Sequence, residues 1–272
     1  MAQVDSGTPS NLQIAYRMKA DTMDINLLLL AGIIGLVAGL GSGFFGIGGG
    51  SIRIPLLNLV GFSLISAYGM NLMALPVSSL IGAISQKQNI DYKLAKYMII
   101  GGSIGTILGT LVAFTLSASA LALAIIFIIV SIISVIGMNL GNLAPNLSER
   151  LQPSSVSLFS TTLAANTITG MRGGSEGSLF VPILRTFNVE MHCAIATSLF
   201  SAIFTSIVGV LLYWSQQQLL LVEGLVVLIA SGIGSRLGSM VSLKTKPKWL
   251  EIGLSVVIII LAGIPLLRVL LM

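Results

Sequence analysis

The sequence predicts an all-α polytopic membrane protein made of two internally repeated halves. Each half is a Gly-rich, broken and re-entrant helical hairpin followed by three transmembrane helices, and the halves are inverted repeats. Three observations carry this prediction. Of 272 residues 55% are hydrophobic and only 8% charged, against about 25% charged in ordinary soluble domains. Mean hydropathy is +1.00, and apolar stretches of bilayer-spanning length follow one another along the chain. Two glycine-rich interruptions recur at a constant offset.

The same composition excludes several classes. The 14 Lys and Arg are dispersed, so the net charge of +5 makes no basic stripe for nucleic acid. One Cys excludes a disulfide scaffold, and one Cys with one His excludes an ordinary zinc site. No cofactor is expected.

Residues 1–25 form a polar N-terminal tail of mixed charge, with Arg17, Lys19, Asp21 and Asp24. It lacks the basic, apolar and small-residue succession of a cleaved leader. Spanning helices of about 20 residues are expected near 64–85, 93–115, 118–138, 191–213, 219–241 and 249–270. Two other regions, 26–62 and 154–188, are apolar but interrupted. The first carries Gly43-Phe-Phe-Gly-Ile-Gly-Gly-Gly50, the second Gly170-Met-Arg-Gly-Gly-Ser-Glu-Gly177. Glycine at this density breaks a helix. In hydrocarbon, irregular backbone survives only where protein or a water-filled cavity covers it. Each region is therefore read as two half-helices joined by an unwound tip.

The two regions align without gaps at an offset of 127 residues. Gly43, Gly46, Gly50, Ser51, Pro55, Leu57, Ala67, Leu72, Ser79 and Gly82 match Gly170, Gly173, Gly177, Ser178, Pro182, Leu184, Ala194, Leu199, Ser206 and Gly209. Gly105 and Gly109 match Gly234 and Gly238 after a two-residue insertion. The chain reads as a tandem duplication, with a first membrane repeat at 26–140, a linker at 141–152 and a second repeat at 153–272. Paired broken helices in duplicated halves point to a secondary transporter whose site lies between the halves near the midplane.

Charge sets the expected topology. The loop at 86–96 carries Lys87, Lys93 and Lys96, and its repeat partner at 213–223 has no Lys or Arg. The loop at 242–249 carries Lys244, Lys246 and Lys248, and its partner at 114–119 has none. Cytoplasmic loops collect Lys and Arg, so equivalent loops lie on opposite faces. An odd number of crossings per half, three helices plus one hairpin, satisfies this and places both termini outside. Eight full crossings with parallel halves is the alternative.

A new helix is expected near Ser51 and near Ser178, either of which suits an N-cap. Such a helix aims unpaired N–H groups and a partial positive charge into the protein centre, which favours an anion. The candidate substrate-binding residues are Gly46, Gly48, Gly49, Gly50, Ser51, Arg53 and Asn71 in the first half. In the second they are Arg172, Gly173, Gly174, Ser175, Gly177, Ser178, Thr197 and Ser198. Charges at the bilayer centre cost about 3 kcal/mol each when unpaired, so Arg53, Arg172, Glu176 and Arg236 should face inward. Arg172 suits a bidentate oxyanion contact, and Glu176 is the candidate proton carrier; a structural Arg172–Glu176 pair is the competing reading. Arg236, His192 and Cys193 read as structural. Gly35, Gly39 and Gly43, then Gly101, Gly105 and Gly109, then Gly234 and Gly238 have the four-residue spacing of helix-packing faces. Tyr92, Tyr97, Tyr213, Trp214 and Trp249 fall at segment ends, as interfacial anchors do.

The run Gly46-Ile-Gly-Gly-Gly-Ser-Ile-Arg-Ile-Pro-Leu-Leu57, with Asn71 in the next helix, resembles the glycine/proline motif of the sulfite exporter TauE/SafE family, also called the toluene-sulfonate uptake permease family. The second copy reads Gly173-Gly-Ser-Glu-Gly-Ser-Leu-Phe-Val-Pro-Ile-Leu184, followed by Ala194-Ile-Ala-Thr-Ser198. The likeness covers essentially all of 26–272. It implies a transporter of sulfite, sulfonates or related sulfur-containing anions, with about eight hydrophobic segments. Ser175 and Glu176 among the second set of glycines depart from the usual motif. The chain is thus expected to be a multi-pass protein of the cell (plasma or inner) membrane. Its partners are the bilayer, a small sulfur-containing anion and a coupling proton, not nucleic acid, and its glycine faces allow a homodimer. No Walker-type motif appears, and no nucleophile–base pair suggests an enzyme. A passive anion channel is the alternative to a transporter.

Overall fold

A computed structural model of the chain describes residues 25–115, 153–171, 177–216 and 219–271, together with Ile132 and Ile136. Among these residues every regular element is a helix. They are α1 (Ile25–Phe45), α2 (Gly50–Leu59), α3 (Leu64–Ser85) and α4 (Tyr92–Thr115), then α5 (Ser155–Gly170), α6 (Gly177–Thr186), α7 (Met191–Ser215), α8 (Leu221–Lys244) and α9 (Pro247–Leu271). Among the described residues five helices are long and apolar enough to cross a bilayer: α1, α3, α4, α7 and α8. The span expected at 118–138, Ile132 and Ile136 apart, lies outside the described residues.

The helices are apolar outward and small or polar inward. On α8, Leu225, Ile229, Ile233 and Leu237 are exposed at four-residue spacing, and Ser231, Gly234, Ser235, Gly238 and Ser239 are buried. This reverses the pattern of a soluble helix and fits a protein whose outer solvent is lipid.

Glycine sets the closest contacts. A Cβ on Gly39 or Gly43 would strike the backbone carbonyls of Ser231 and Ser235, and one on Gly234 or Gly238 would strike those of Leu36 and Leu40. Helices α1 and α8 therefore touch backbone to backbone, and the increasing residue pairs show that they run parallel. Gly101, Gly105 and Gly109 meet the carbonyls of Phe159, Leu163 and Thr167 in the same way, so α4 and α5 are parallel too. The four-residue glycine spacing is packing, as the sequence suggested.

Other contacts fix the remaining directions. Gly224 lies against Met73 and Gly232 against Ile81, so α3 runs with α8. Gly102 meets Thr205, and Gly209 meets Thr106, so α4 runs with α7. Gly82 meets Leu199 while Gly209 meets Leu72, so α3 and α7 are antiparallel. The bundle thus has two sets of mutually parallel helices: α1, α3 and α8 against α4, α5 and α7. Because α3 and α8 end side by side, Lys87 and Lys244 emerge at the same end of the bundle, where Arg236 Nη1 donates to Ser85 Oγ at 2.7 Å.

Because α1 and α3 are parallel, α2 must return the chain towards its starting face, as a hairpin requires. The first arm is longer than a half-helix: 21 residues at 1.5 Å each span about 31 Å. Beyond it the chain doubles back, and a Cβ on Gly49 would stand 2.6 Å from the Ala38 carbonyl. Helix α2 begins alongside Ala38, within the length of α1.

The exits of α2 and α6 share one hydrogen-bond pattern at the 127-residue offset. Asn58 Nδ2 donates to Phe62 O at 2.8 Å, and Arg185 Nη1 to Val189 O at 2.8 Å. Phe62 N–H donates to Leu57 O and Val189 N–H to Leu184 O, each at 3.1 Å. The turn residues Gly61 and Asn188 both have positive φ, 117° and 58°. Ser63 and Glu190 then cap the next helix by accepting from Ser66 N–H and Cys193 N–H, both at 3.1 Å.

Candidate functional site

The chain from Gly46 to Gly49 leaves α1 because three of its four residues adopt a left-handed conformation. Gly46, Gly48 and Gly49 have φ of 73°, 68° and 76°, a region closed to most side chains. The whole tip is buried, and Ile47 anchors it in an apolar cluster with Phe180 and Val181 of α6. A Cβ on Gly46 would stand 2.9 Å from Ile195 Cα of α7. Ser198 Oγ donates to the Gly46 carbonyl at 2.9 Å. The second half therefore holds the first tip by one hydroxyl and an apolar seat.

Helix α2 starts at Gly50, and its N-cap is Gly49, which offers no side-chain hydrogen bond. The expectation that Ser51 caps it is corrected: Ser51 sits half-buried in the first turn. Only glycine fits the cap, because φ is left-handed there and Ala38 O and Arg53 Nη2 crowd the Cβ position. Likewise α6 begins at Gly177, one residue before Ser178.

Arg53 lies one turn into α2 with no exposed surface. Its Nη1 donates to Asn71 Oδ1 at 2.5 Å and to Asn71 O at 3.4 Å. Its Nη2 donates to Ser231 Oγ at 2.9 Å, and that hydroxyl donates onward to Gly35 O at 2.9 Å. Its Nε has no hydrogen-bond partner. Among the described residues the guanidinium has no carboxylate, and the ion pair present is Arg185 with Glu251 at 3.1 Å, at the α6–α9 junction. Such a buried cation, bonded only to neutral acceptors among the described residues, keeps its positive field.

The structure brings Arg53, Asn71 and the Gly46–Gly50 tip together and seats Ser198 on the tip. Thr197 is placed elsewhere: its Oγ1 accepts the Asp91 N–H at 2.9 Å, fixing the start of α4. Residues Arg172, Gly173, Gly174, Ser175 and Glu176, and the side chain of Ser178, lie outside the described residues. Arg236 is exposed and bonds Ser85, as a structural residue would. Two residues of the arrangement were missed in the sequence. One is Ser231; the other is Gln86, whose Nε2 donates to Gly43 O at 3.0 Å near the end of α1. The hydroxyl row Ser231, Ser235, Ser239 and Ser242 on one face of α8 is the signal that could have found the first.

Comparison with known proteins gives one family. The sequence model described as Sulfite exporter TauE/SafE matches residues 31–268. A "Probable membrane transporter protein" of Xylella fastidiosa (strain 9a5c) is 34% identical over 98 residues, 35% of this chain and 38% of that protein. A protein of the same description from Xylella fastidiosa (strain Temecula1 / ATCC 700964) is 37% identical over 89 residues, 32% of this chain and 34% of its own length. The matched stretches thus span little more than a third of either relative. No solved structure matches the chain. With nearly its whole helical bundle inside the matched region, the protein is a multi-pass membrane protein and belongs to the sulfite exporter TauE/SafE family.

Proposed function

We propose that the protein is a secondary transporter of small sulfur-containing anions: sulfite, sulfonates or related oxyanions. It works by alternating access around a midplane site between its two Gly-rich broken helices. The observation that carries this is Arg53, a wholly buried guanidinium with no carboxylate partner among the described residues, beside a helix N-terminus that begins alongside Ala38, within the length of α1. A cation so placed is costly, and the N-terminal dipole of α2 adds to it instead of relieving it. Both costs fall when an anion binds between them.

Inverted repeats support alternating access, and the helix directions favour inversion. Each described helix of the first set has its counterpart, 127 to 129 residues away, in the opposite set. The shared exit pattern of α2 and α6 supports the same reading. Glu176 is the proposed proton carrier, four residues after Arg172 in the second glycine-rich run. The names of the family and of both relatives point to membrane transport, not to enzymatic chemistry.

Thermal unfolding of the purified protein with sulfite, thiosulfate, sulfate, taurine, an aryl sulfonate, phosphate and chloride at matched ionic strength tests the reading. A ligand at 100 times its Kd stabilises a one-site protein by about 2.7 kcal/mol. Selective stabilisation by sulfur anions, with saturable and trans-stimulated flux in liposomes, is the expected result. Flux without saturation makes the protein a channel.

A further inference from the structure

A guanidinium offers five N–H donors in one plane, and Arg53 spends them unevenly. Nη1 is committed to Asn71, and one Nη2 hydrogen to Ser231. The Nε–H and one Nη2–H lie side by side along one edge of the plane and point the same way. Nε has no partner although the residue is fully buried. That edge is a fork matched to two oxygens of one oxyanion. A spherical ion gains the charge and wastes the fork.

The repeat provides an internal control. At the repeat-equivalent place, Arg53 is replaced by Phe180 and Asn71 by Ser198 of the second half, and Ser231 by Gly102 of the first. Phe180 is fully buried, and its Cζ stands 3.0 Å from where a Cβ on Gly102 would be. There an aromatic ring against a glycine fills the space that Arg53 and Ser231 fill on the other side of the repeat. The scaffold packs without the polar trio, so packing does not explain it.

We propose that Arg53, held flat by Asn71 and Ser231, is a one-sided bidentate receptor for a single oxyanion head group presenting two equivalent oxygens, such as a sulfonate or hydrogensulfite. Ser231 is its positioning residue, contributed by the opposite half of the chain, and it sets the preference for oxyanions over halides. The inference rests on the transporter reading above and adds the way the ligand is held and the asymmetry of the site. Because Arg53 is enclosed in this structure, the anion reaches it in a second conformation in which the tip or α2 has shifted.

The test compares the full-length wild type with Arg53→Lys, Ser231→Ala and Ser231→Gly in liposomes and in thermal unfolding, with methanesulfonate and chloride as probes. Arg53→Lys keeps the charge and loses the fork. Methanesulfonate binding should weaken by about 10- to 100-fold, the loss of a charge-assisted hydrogen bond, with chloride binding little changed. Ser231→Ala should weaken methanesulfonate by about 2- to 10-fold, and the double variant should be no worse than Arg53→Lys. Should Arg53→Lys fail to fold, the two serine variants decide, since Ser231→Gly copies the residue at position 102. Unchanged sulfonate-over-chloride selectivity in Arg53→Lys, or wild-type selectivity in both serine variants, overturns the inference and leaves the transporter reading intact. A wild type that neither binds nor moves any oxyanion overturns both.

Discussion

Gly39→Ala adds one methyl group at the tightest helix crossing in the bundle. The new Cβ would lie 2.7 Å from Ser231 Cα and 2.8 Å from Ser231 C, and closer still to Ser231 O. Ordinary contact begins at 3.4 Å, so α1 and α8 must part by about 0.7 Å to clear the Ser231 Cα and by more to clear its carbonyl oxygen. Neither side can yield locally, because both surfaces are helix backbone. The separation is therefore shared by the neighbouring contacts at Gly35, Gly43, Gly234 and Gly238, and overpacking of this kind costs about 1–3 kcal/mol. At about 2–4 °C per kcal/mol for a chain of this size, the midpoint of thermal unfolding in detergent should fall by about 2–12 °C. Gly32→Ala is the control. It lies on the same helix, and its Cβ would meet only Val226 Cγ1, the tip of a side chain, at 3.3 Å. A Gly39→Ala midpoint within 1 °C or so of wild type, or a Gly32→Ala loss of equal size, would refute the backbone-contact account.

Three further outcomes are expected. Single cysteines placed at 89 and 245 should react with an impermeant thiol reagent from the same face of the membrane, because α3 and α8 end side by side; labelling from opposite faces rejects the helix directions given above. Ser198→Ala leaves the buried Gly46 carbonyl without its donor, which should cost about 1–3 kcal/mol in thermal unfolding, whereas Ser198→Thr, keeping the hydroxyl, should recover most of it. Arg172→Ala should abolish anion flux while the protein still inserts and folds, and wild-type flux would remove Arg172 from the substrate site.

Much of the bundle was legible because hydrophobic length and glycine spacing are local signals. The apolar run at 64–85 coincides with α3, and the other described spans differ by a few residues at their ends. The first tip was legible too, since Gly46, Gly48 and Gly49 need backbone angles that other residues resist. Less legible was how the arms divide. The chain turns only after Phe45, so α1 is a full-length helix and the half-helix is α2 alone. The site was legible on one side only. Arg53 stands out as a charge in an apolar run, but its partner Ser231 lies 178 residues away on another helix, and no periodicity links the two. Thr197 and Ser198 look equivalent in sequence, yet one face of α7 meets the first tip and its neighbour meets Asp91. A helix separates adjacent residues by about 100°, and only the packed bundle decides which of the two faces the site.

The packing also changes what alternating access would have to move. The two halves of the sequence are not the two bodies of the fold. Each half contributes its broken segment and the helix after it to one set, and its next helix to the other. Thus α1 of the first half is zipped to α8 of the second through glycine and backbone, and α5 to α4 in the same manner. Hydrogen bonds reinforce the first set internally: Ser235 to Ser78 O, Ser231 to Gly35 O, and Arg53 to both Asn71 and Ser231. Between the sets the contacts differ in kind. Leu199 tips lie on Gly82 and a Leu72 tip on Gly209, side chains that can change rotamer, and the single hydroxyl of Ser198 holds the tip. Backbone-to-backbone faces resist sliding, and leucine-on-glycine faces permit it. On the proposed mechanism, then, the seam that opens runs along α3 and α7, not between the halves. Arg53 travels with α1, α3 and α8, and the Ser198–Gly46 bond is the polar contact that must break when the tip leaves its seat.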